Sequence, residues 1–218
     1  MWKIHGKMPA AVLFDLDGTL LDSFALITGA FRDACRVVLG REPSEREVLA
    51  RWGRPLAIRF EALAPSRVDA LVAAYTAAYD ASYAALIRPF PGVEDLLRRL
   101  RDAGAVLAVV TSKRRRSALR DLETFGLLPR FGAVVAGEDV THVKPAPEPV
   151  LRALRELDMA AGDAWMVGDG VLDVQAGRAA GVRTIGALWG AREREALAAS
   201  APDYVAASPG EVVSLVLG

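Results

Sequence analysis

Two acids two positions apart, Asp15 and Asp17, stand directly after four apolar residues, Ala11-Val12-Leu13-Phe14, and directly before Gly18-Thr19. A run that short reads as a buried strand emptying into a loop at its carboxyl end, which is the edge of a parallel α/β sheet where ligands bind. If the extended backbone persists through Asp17, the period of two turns both carboxylates one way and Leu16 the other. Converging carboxylates repel, so the pair calls for a lysine or a divalent cation. Polar side chains interrupt apolar patterning at three further places: Thr111-Ser112, Lys144, and Asp169 with Asp173. Together these types suit phosphoryl transfer at a metal site. One aspartate can attack phosphorus and split a hard hydrolysis into two easier steps. An acid two residues on can protonate the leaving oxygen and later activate water. Threonine can donate to a phosphoryl oxygen, and lysine adds a point charge. A hard divalent ion on oxygen ligands offsets the repulsion between nucleophile and phosphate, and Mg²⁺ is the natural choice. No zinc spacing competes, because the chain has only His5, His142 and Cys35 of the residues it would need.

Each of these groups needs an element that delivers it. The apolar run at 105–110 ends at Thr111-Ser112, and that at 133–136 runs into Gly137-Glu138-Asp139 ahead of Lys144-Pro145. The run at 164–167 ends at Gly168-Asp169-Gly170, and 183–188 reads as a fifth strand. Between them lie helical patterns at 93–103, 117–125, 148–157 and 171–180, with Gly104 and Gly181 as stops. This alternation means an α/β chain, a Rossmann-like doubly wound parallel sheet covered on both faces. Right-handed crossovers then place every strand end on one rim, where the polar groups converge. The tail reads as a helix at 191–199, an extended edge segment at 203–205 and a closing helix at 209–217.

Residues 21–88 break the alternation. A helical stripe over 22–39 is stopped by Gly40, and Ser44-Glu45-Arg46-Glu47 has capping-box spacing for a second helix that stops near Trp52-Gly53. A third helix is expected at 55–63 and a fourth at 66–86. A four-helix insert of this length is a separate small domain, bordered by hinge segments. Its aromatics Trp52, Tyr75, Tyr79 and Tyr83 read as core rather than as a ligand box. Arg51 and Arg54, beside Gly53, are loop arginines that can turn toward an anion.

With 218 residues, the chain can hold one sizeable domain and a small appendage. Lys plus Arg and Asp plus Glu are equal at 27, so no overall field argues for nucleic acid or an anionic membrane, and an anionic substrate must be captured locally. The single cysteine, Cys35, excludes an intramolecular disulfide and fits a buried thiol in a reducing cytoplasm. Residues 1–10 read as a lead-in, the apolar run from Pro9 to Phe14 is too short for a signal peptide's hydrophobic core, and no segment approaches a membrane span.

The combination Asp15-Leu-Asp17-Gly-Thr, Thr111-Ser-Lys113, Lys144-Pro145 and Gly168-Asp169-Gly-Val-Leu-Asp173 resembles the haloacid dehalogenase-like hydrolase superfamily in all four of its motifs, in order and over nearly the whole chain. The resemblance implies a nucleophile at Asp15, a general acid and base at Asp17, a phosphate-orienting Thr111 and a charge-stabilising Lys144. It implies Mg²⁺ held by the Asp15 carboxylate, the Asp17 backbone carbonyl and Asp169, with Asp173 ligating or orienting a bound water. Ser112, Lys113 and Arg54 are the expected substrate-binding residues, with Glu138 binding substrate or shaping its loop. The insert resembles the family's first type of helical cap, giving a core of 1–20 and 89–218 and a cap of 21–88. Asp17 argues for phosphate chemistry over dehalogenation. The stretch 137–149 resembles the phosphoglycolate phosphatase group and its pyrophosphatase relatives. The expected activity is therefore Mg²⁺-dependent hydrolysis of a small phosphorylated metabolite by a monomer or homodimer. The alternatives are a pyrophosphatase, a sugar-phosphate mutase or a catalytically silent binding module. Gly170 and Ala146 depart from the family pattern, which commonly has Ser or Asn at the first and Asp at the second.

Overall fold

The computed structural model describes residues 10–218, so the expected lead-in, with His5, lies outside the described residues apart from Ala10. In chain order, β1 (Ala11–Phe14) and β2 (Leu21–Asp22) lead into four helices, α1 (Phe24–Leu39), α2 (Glu45–Leu49), α3 (Leu56–Leu63) and α4 (Val68–Leu86). The short β3 (Arg88–Pro89) then gives way to α5 (Val93–Asp102), β4 (Val106–Val110), α6 (Arg115–Thr124), β5 (Ala133–Val135) and α7 (Glu148–Leu157). The chain closes with β6 (Ala164–Gly168), α8 (Val171–Ala179), β7 (Arg183–Ala187), α9 (Arg194–Ala199), β8 (Tyr204–Ala206) and α10 (Pro209–Leu217).

Six strands form one parallel sheet in the order β5-β4-β1-β6-β7-β8. β1 is central, with Ala11 opposite Val106 on one side and Ala164 on the other. The chain builds outward through β4 and β5 and then returns to the far side of β1 with β6, and such a reversal opens the crevice at the carboxyl ends of the strands. Both faces are covered, which explains the unbroken apolar runs. Val12 and Phe14 pack with Leu96, Leu97, Val212 and Val213 on one face. Ala11 and Leu13 pack with Val150, Leu154, Met166 and Ala176 on the other. The extended segment near 204 does join the sheet, as its edge strand β8.

The helical insert leaves and rejoins the sheet domain through a two-stranded antiparallel ribbon, Leu21 opposite Pro89 and Asp22 opposite Arg88. It carries its own core of Phe31, Ala34, Cys35, Val48, Phe60 and Leu71, with the Phe31 and Phe60 rings stacked at 4.7 Å. Cys35 is a buried free thiol, pushed up to about 11 by burial. The Ser44 capping box forms: the Ser44 hydroxyl accepts from the Glu47 N–H and the Glu47 carboxylate from the Ser44 N–H.

Several element boundaries differ from the sequence reading. Residue 22 belongs to the ribbon and α1 starts at Phe24, because the Ser23 hydroxyl is used on Asp17 rather than as a helix cap. α2 ends at Leu49, and a turn comes next in which Arg51 and Gly53 both adopt positive φ. α6 begins at Arg115, two residues early; its first turn holds no acid and its cap no side-chain hydrogen bond, so the usual start signals are missing. The helix expected at 191–199 begins only at Arg194. Among the described residues, no helix is long and apolar enough to cross a membrane.

Truncating the stacked pair should show that the insert has a core of its own. Phe60→Ala is expected to lower stability by about 3–5 kcal/mol in urea denaturation, read from the midpoint at unchanged slope.

Candidate active site

The sheet register sets the first two site residues. The Asp15 N–H donates to the Val167 carbonyl at 2.9 Å, one step beyond β1, and the Thr111 N–H donates to the Val135 carbonyl at 2.9 Å, one step beyond β4. Asp169 comes directly after β6, Lys144 comes from the loop after β5, and Asp173 stands in the first turn of α8, where its carboxylate accepts from the Gly170 N–H at 3.0 Å. All four strand ends therefore meet on one rim, as their spacing predicts.

Lys144 is the hub. Its Nζ donates to Asp15 Oδ1 at 2.7 Å, to Asp173 Oδ1 at 2.6 Å and to the Val110 carbonyl at 3.1 Å, which uses all three of its hydrogens, and the residue is 4% exposed. Burial alone would lower its pKa, but Asp15 and Asp173 outweigh that and hold it above the ordinary lysine value. Asp15, Asp169 and Asp173 each offer an oxygen within 4.8 Å of the others. Burial is the main reason that Asp15 is pushed up to about 7, with Lys144 opposing and Asp173 adding to the rise. Asp169 is raised well above the carboxylate range by burial, then by Asp15 and Asp173, against Lys144 and the Thr19 hydroxyl, which donates to it at 3.2 Å. Three acids against one ammonium leave an excess of negative charge among oxygen donors. That donor set fits a hard divalent cation, which would return these carboxyls to their ionised form.

Asp17 belongs to a second cluster. Its Oδ1 accepts from the Ser23 hydroxyl at 2.6 Å and from Lys113 Nζ at 2.9 Å. Lys113 also reaches Asp121 Oδ2 at 2.5 Å and the Tyr79 hydroxyl at 2.9 Å, with its side chain 10% exposed. Burial disfavours its charge, yet Asp17, Tyr79 and Asp121 raise it well above the usual lysine range. The Asp17 carboxylate is thus engaged by Ser23 and Lys113 and is not one of the three acids grouped around Lys144. Lys113, expected on substrate, has its ammonium committed to Asp17, Asp121 and Tyr79. Thr111 Oγ1 accepts from the Lys113 N–H at 3.1 Å, and the Ser112 hydroxyl is buried on the cavity wall without a partner. Arg54 donates to the Lys144 carbonyl at 3.1 Å and so spans from the insert to the sheet domain. Glu138 is exposed at the cavity rim.

A cavity of about 920 Å³ joins the two halves, with Asp15, Asp17, Thr111, Lys144 and Asp169 on the sheet side. Trp52, Tyr75 and Tyr79 pack against the core, as read from the sequence, and also line the cavity from the insert; Tyr83 does not line it. Sequence reading passes over several residues that shape the site. Ser23 is absorbed there into a helix start. Asp121, fully buried on α6, is legible as an acid inside an apolar stripe. Trp189 donates from Nε1 to the Thr19 carbonyl at 2.9 Å, and a Cβ on Gly190 would fall 1.6 Å from the Gly18 carbonyl oxygen. The loop after β7 therefore clamps the Asp17-Gly18-Thr19 turn. Gly18 itself has φ of 87° and lies so close to Asp169 that a Cβ would sit 2.3 Å from its oxygen.

Residues 12–187 match the family model described as haloacid dehalogenase-like hydrolase, and the chain belongs to that family. It is 35% identical over 205 residues to the pyrophosphatase PpaX of Anoxybacillus flavithermus, covering 94% of this chain and 95% of the relative. It is 36% identical over 192 residues to the phosphoglycolate phosphatase of Xylella fastidiosa, covering 86% of this chain and 83% of the relative. Among solved structures, a haloacid dehalogenase-like family hydrolase from Streptococcus pneumoniae superposes with a TM-score of 0.82 at 27% identity, over 95% of this chain and 98% of that one. The chain is thus a hydrolase of an α/β fold whose relatives include phosphatases.

The raised carboxyls set a pH dependence. A folded Asp15 that holds its proton up to about 7, against 3.8 unfolded, makes the metal-free protein lose stability as pH rises through that window. With a chelator present, Asp15→Asn should therefore gain stability relative to wild type between pH 4 and 7, read as the difference in melting temperature. Mg²⁺ at about 100 times its Kd should add about 2.7 kcal/mol to wild type at neutral pH, and much less to Asp169→Asn.

Proposed function

We propose that this chain is a Mg²⁺-dependent phosphatase that hydrolyses a small phosphorylated metabolite through an aspartyl-phosphate on Asp15. The observation that carries the reading is the Lys144 hub, which brings Asp15 and Asp173 to 2.7 and 2.6 Å of one ammonium beside Asp169. An Asp15 oxygen attacks phosphorus and the bond to the leaving oxygen breaks, while Asp17 gives that oxygen a proton. Water then attacks the same phosphorus, Asp17 takes its proton, and Asp15 is released with inorganic phosphate. Lys144, Thr111 and the partnerless Ser112 hydroxyl stabilise the phosphoryl oxygens, with Arg54 closing the site from the insert. Asp15, the Asp17 carbonyl, Asp169 and Asp173 would hold Mg²⁺, directly or through water. When bound, the ion supplies charge neutralisation between nucleophile and phosphate.

Residues 21–88 serve in this reading as a cap over a core of 1–20 and 89–218. The insert's separate core and its two-residue ribbon support that division. A phosphate monoester such as phosphoglycolate is the first substrate class. Pyrophosphate is the second, favoured by the relatives named pyrophosphatase at 35% identity over nearly the whole chain.

A panel of phosphoglycolate, pyrophosphate, sugar phosphates and nucleotides, assayed for phosphate release with and without chelator, tests the reading. Asp15→Asn is expected to cut kcat by at least about 10³-fold and Asp17→Asn by about 10²–10⁴-fold, with unchanged folding by circular dichroism. Wild-type turnover by Asp15→Asn would exclude this chemistry.

A further inference from the structure

Arg59 is an arginine buried without an anion. It stands on α3 in the insert, lines the cavity, and is 7% exposed. One Nη donates to the Val48 carbonyl at 2.6 Å, while Nε is buried with no partner. The guanidinium carbon lies 4.8 Å from the centre of the Phe31 ring and 5.0 Å from that of Trp52, so two aromatic rings hold the cation in place. Among the described residues, no carboxylate forms an ion pair with it. Burial pulls its pKa below the usual arginine value, with Tyr75 opposing. A buried, rigid fork donor with an unmade hydrogen bond and no counter-charge is unusual, since buried charges are otherwise paired.

Its surroundings say what would complete it. The insert puts Arg46, Arg51, Arg54 and Arg59 on the cavity wall, against one acid, Asp80, which is already paired with Arg120. Arg46 and Arg51 are solvated, and Arg54 is engaged with the Lys144 carbonyl, so Arg59 is the desolvated cation of that wall. The sheet side of the same cavity holds the group that would receive a phosphoryl. A substrate seated there points its other end at the insert.

We propose that Arg59 is the distal anion site of the cavity, binding a second anionic group, carboxylate or phosphoryl, on the part of the substrate that is not transferred. The assignment rests on the phosphatase reading and narrows it to substrates charged at both ends. A planar guanidinium matches either oxyanion with paired hydrogen bonds, and in a water-poor site such a bond discriminates strongly against substrates lacking the charge.

The test compares kcat/KM of wild type, Arg59→Gln and Arg59→Lys on phosphoglycolate, pyrophosphate and 4-nitrophenyl phosphate. In Arg59→Gln the ratio of the better doubly anionic substrate to the aryl phosphate should fall about tenfold or more, through KM. Arg59→Lys, which keeps the charge without the fork, should lie between. Whichever of phosphoglycolate and pyrophosphate loses more identifies the distal group as carboxylate or phosphoryl. A ratio unchanged in both variants, whether or not the separate rates move together, overturns the proposal.

Melting temperatures with each doubly anionic compound are measured in parallel. If no compound is turned over, the phosphatase reading fails by itself, and protection of wild type but not of Arg59→Gln still upholds the anion site. Equal protection of both, or of neither, overturns it. Should Arg59→Gln not fold, Arg59→Lys carries the same comparison.

Discussion

A buried excess of negative charge governs this molecule. Asp15, Asp169 and Asp173 share one pocket with a single ammonium, and two unit charges about 4 Å apart near a protein surface interact by roughly 4 kcal/mol. Repulsion of that size among desolvated acids is tolerable only because Lys144 gives two of its three hydrogens to Asp15 and Asp173 and because protons, or a cation, take up the remainder. The loop after β5 is obliged to run to the rim so that Lys144 can reach, and the raised positions of Asp15 and Asp169 measure what is left uncompensated. A phosphoryl group adds more negative charge to the same place. In the proposed function a bound cation would offset that added charge.

The parallel sheet delivers these groups because each strand hands its last hydrogen bond to the neighbour before the chain turns away. Asp15 and Thr111 are still in register when they enter the site, so their backbones are as fixed as the core itself. The turns beyond the strands pack more tightly than a side chain allows. Gly18 lies against Asp169 and Gly190 lies against Gly18, so three loops from β1, β6 and β7 stack in contact at the position where a metal-binding carbonyl is expected. Trp189 closes the stack through its bond to Thr19. The chemistry-bearing carboxylates sit on rigid backbone, which suits a reaction that depends on orientation.

Strands and motif positions are legible in the sequence because short apolar runs give way abruptly to Asp, Thr or a polar loop that carries Lys144, and the insert because helical periodicity replaces those runs. Where sequence and structure part, a residue serves the site at the expense of its local pattern. Ser23 reads as part of a helix and bonds Asp17 instead; Arg115 and Arg116 read as loop because α6 starts on arginines with no acid in its first turn. Trp52 and Tyr75 look like core because the same rings that fill the insert face the cavity. The pairs Trp189 with Thr19 and Lys113 with Asp17 are separated by 170 and 96 positions, and no local periodicity encodes them. Local and global consistency breaks at functional places first.

The insert touches the site through Ser23, which donates to Asp17 just beyond the ribbon, and through two partners of the site's carboxylates. Tyr79 meets Lys113, which holds Asp17; Arg54 meets the carbonyl of Lys144, which holds Asp15. If the insert swings on its two-residue ribbon to admit substrate, it breaks those two hydrogen bonds, each worth only about 0.5–1.5 kcal/mol net, together with the Asp80–Arg120 ion pair. Lys113 stays paired with Asp121 and Asp17, and Lys144 with Asp15 and Asp173, because all of these lie on the sheet domain. The acids therefore keep their geometry while the cavity is open. In the proposed function, closure would add the apolar and cationic wall of the insert, so that substrate selection and bond-breaking would fall to different halves of the chain.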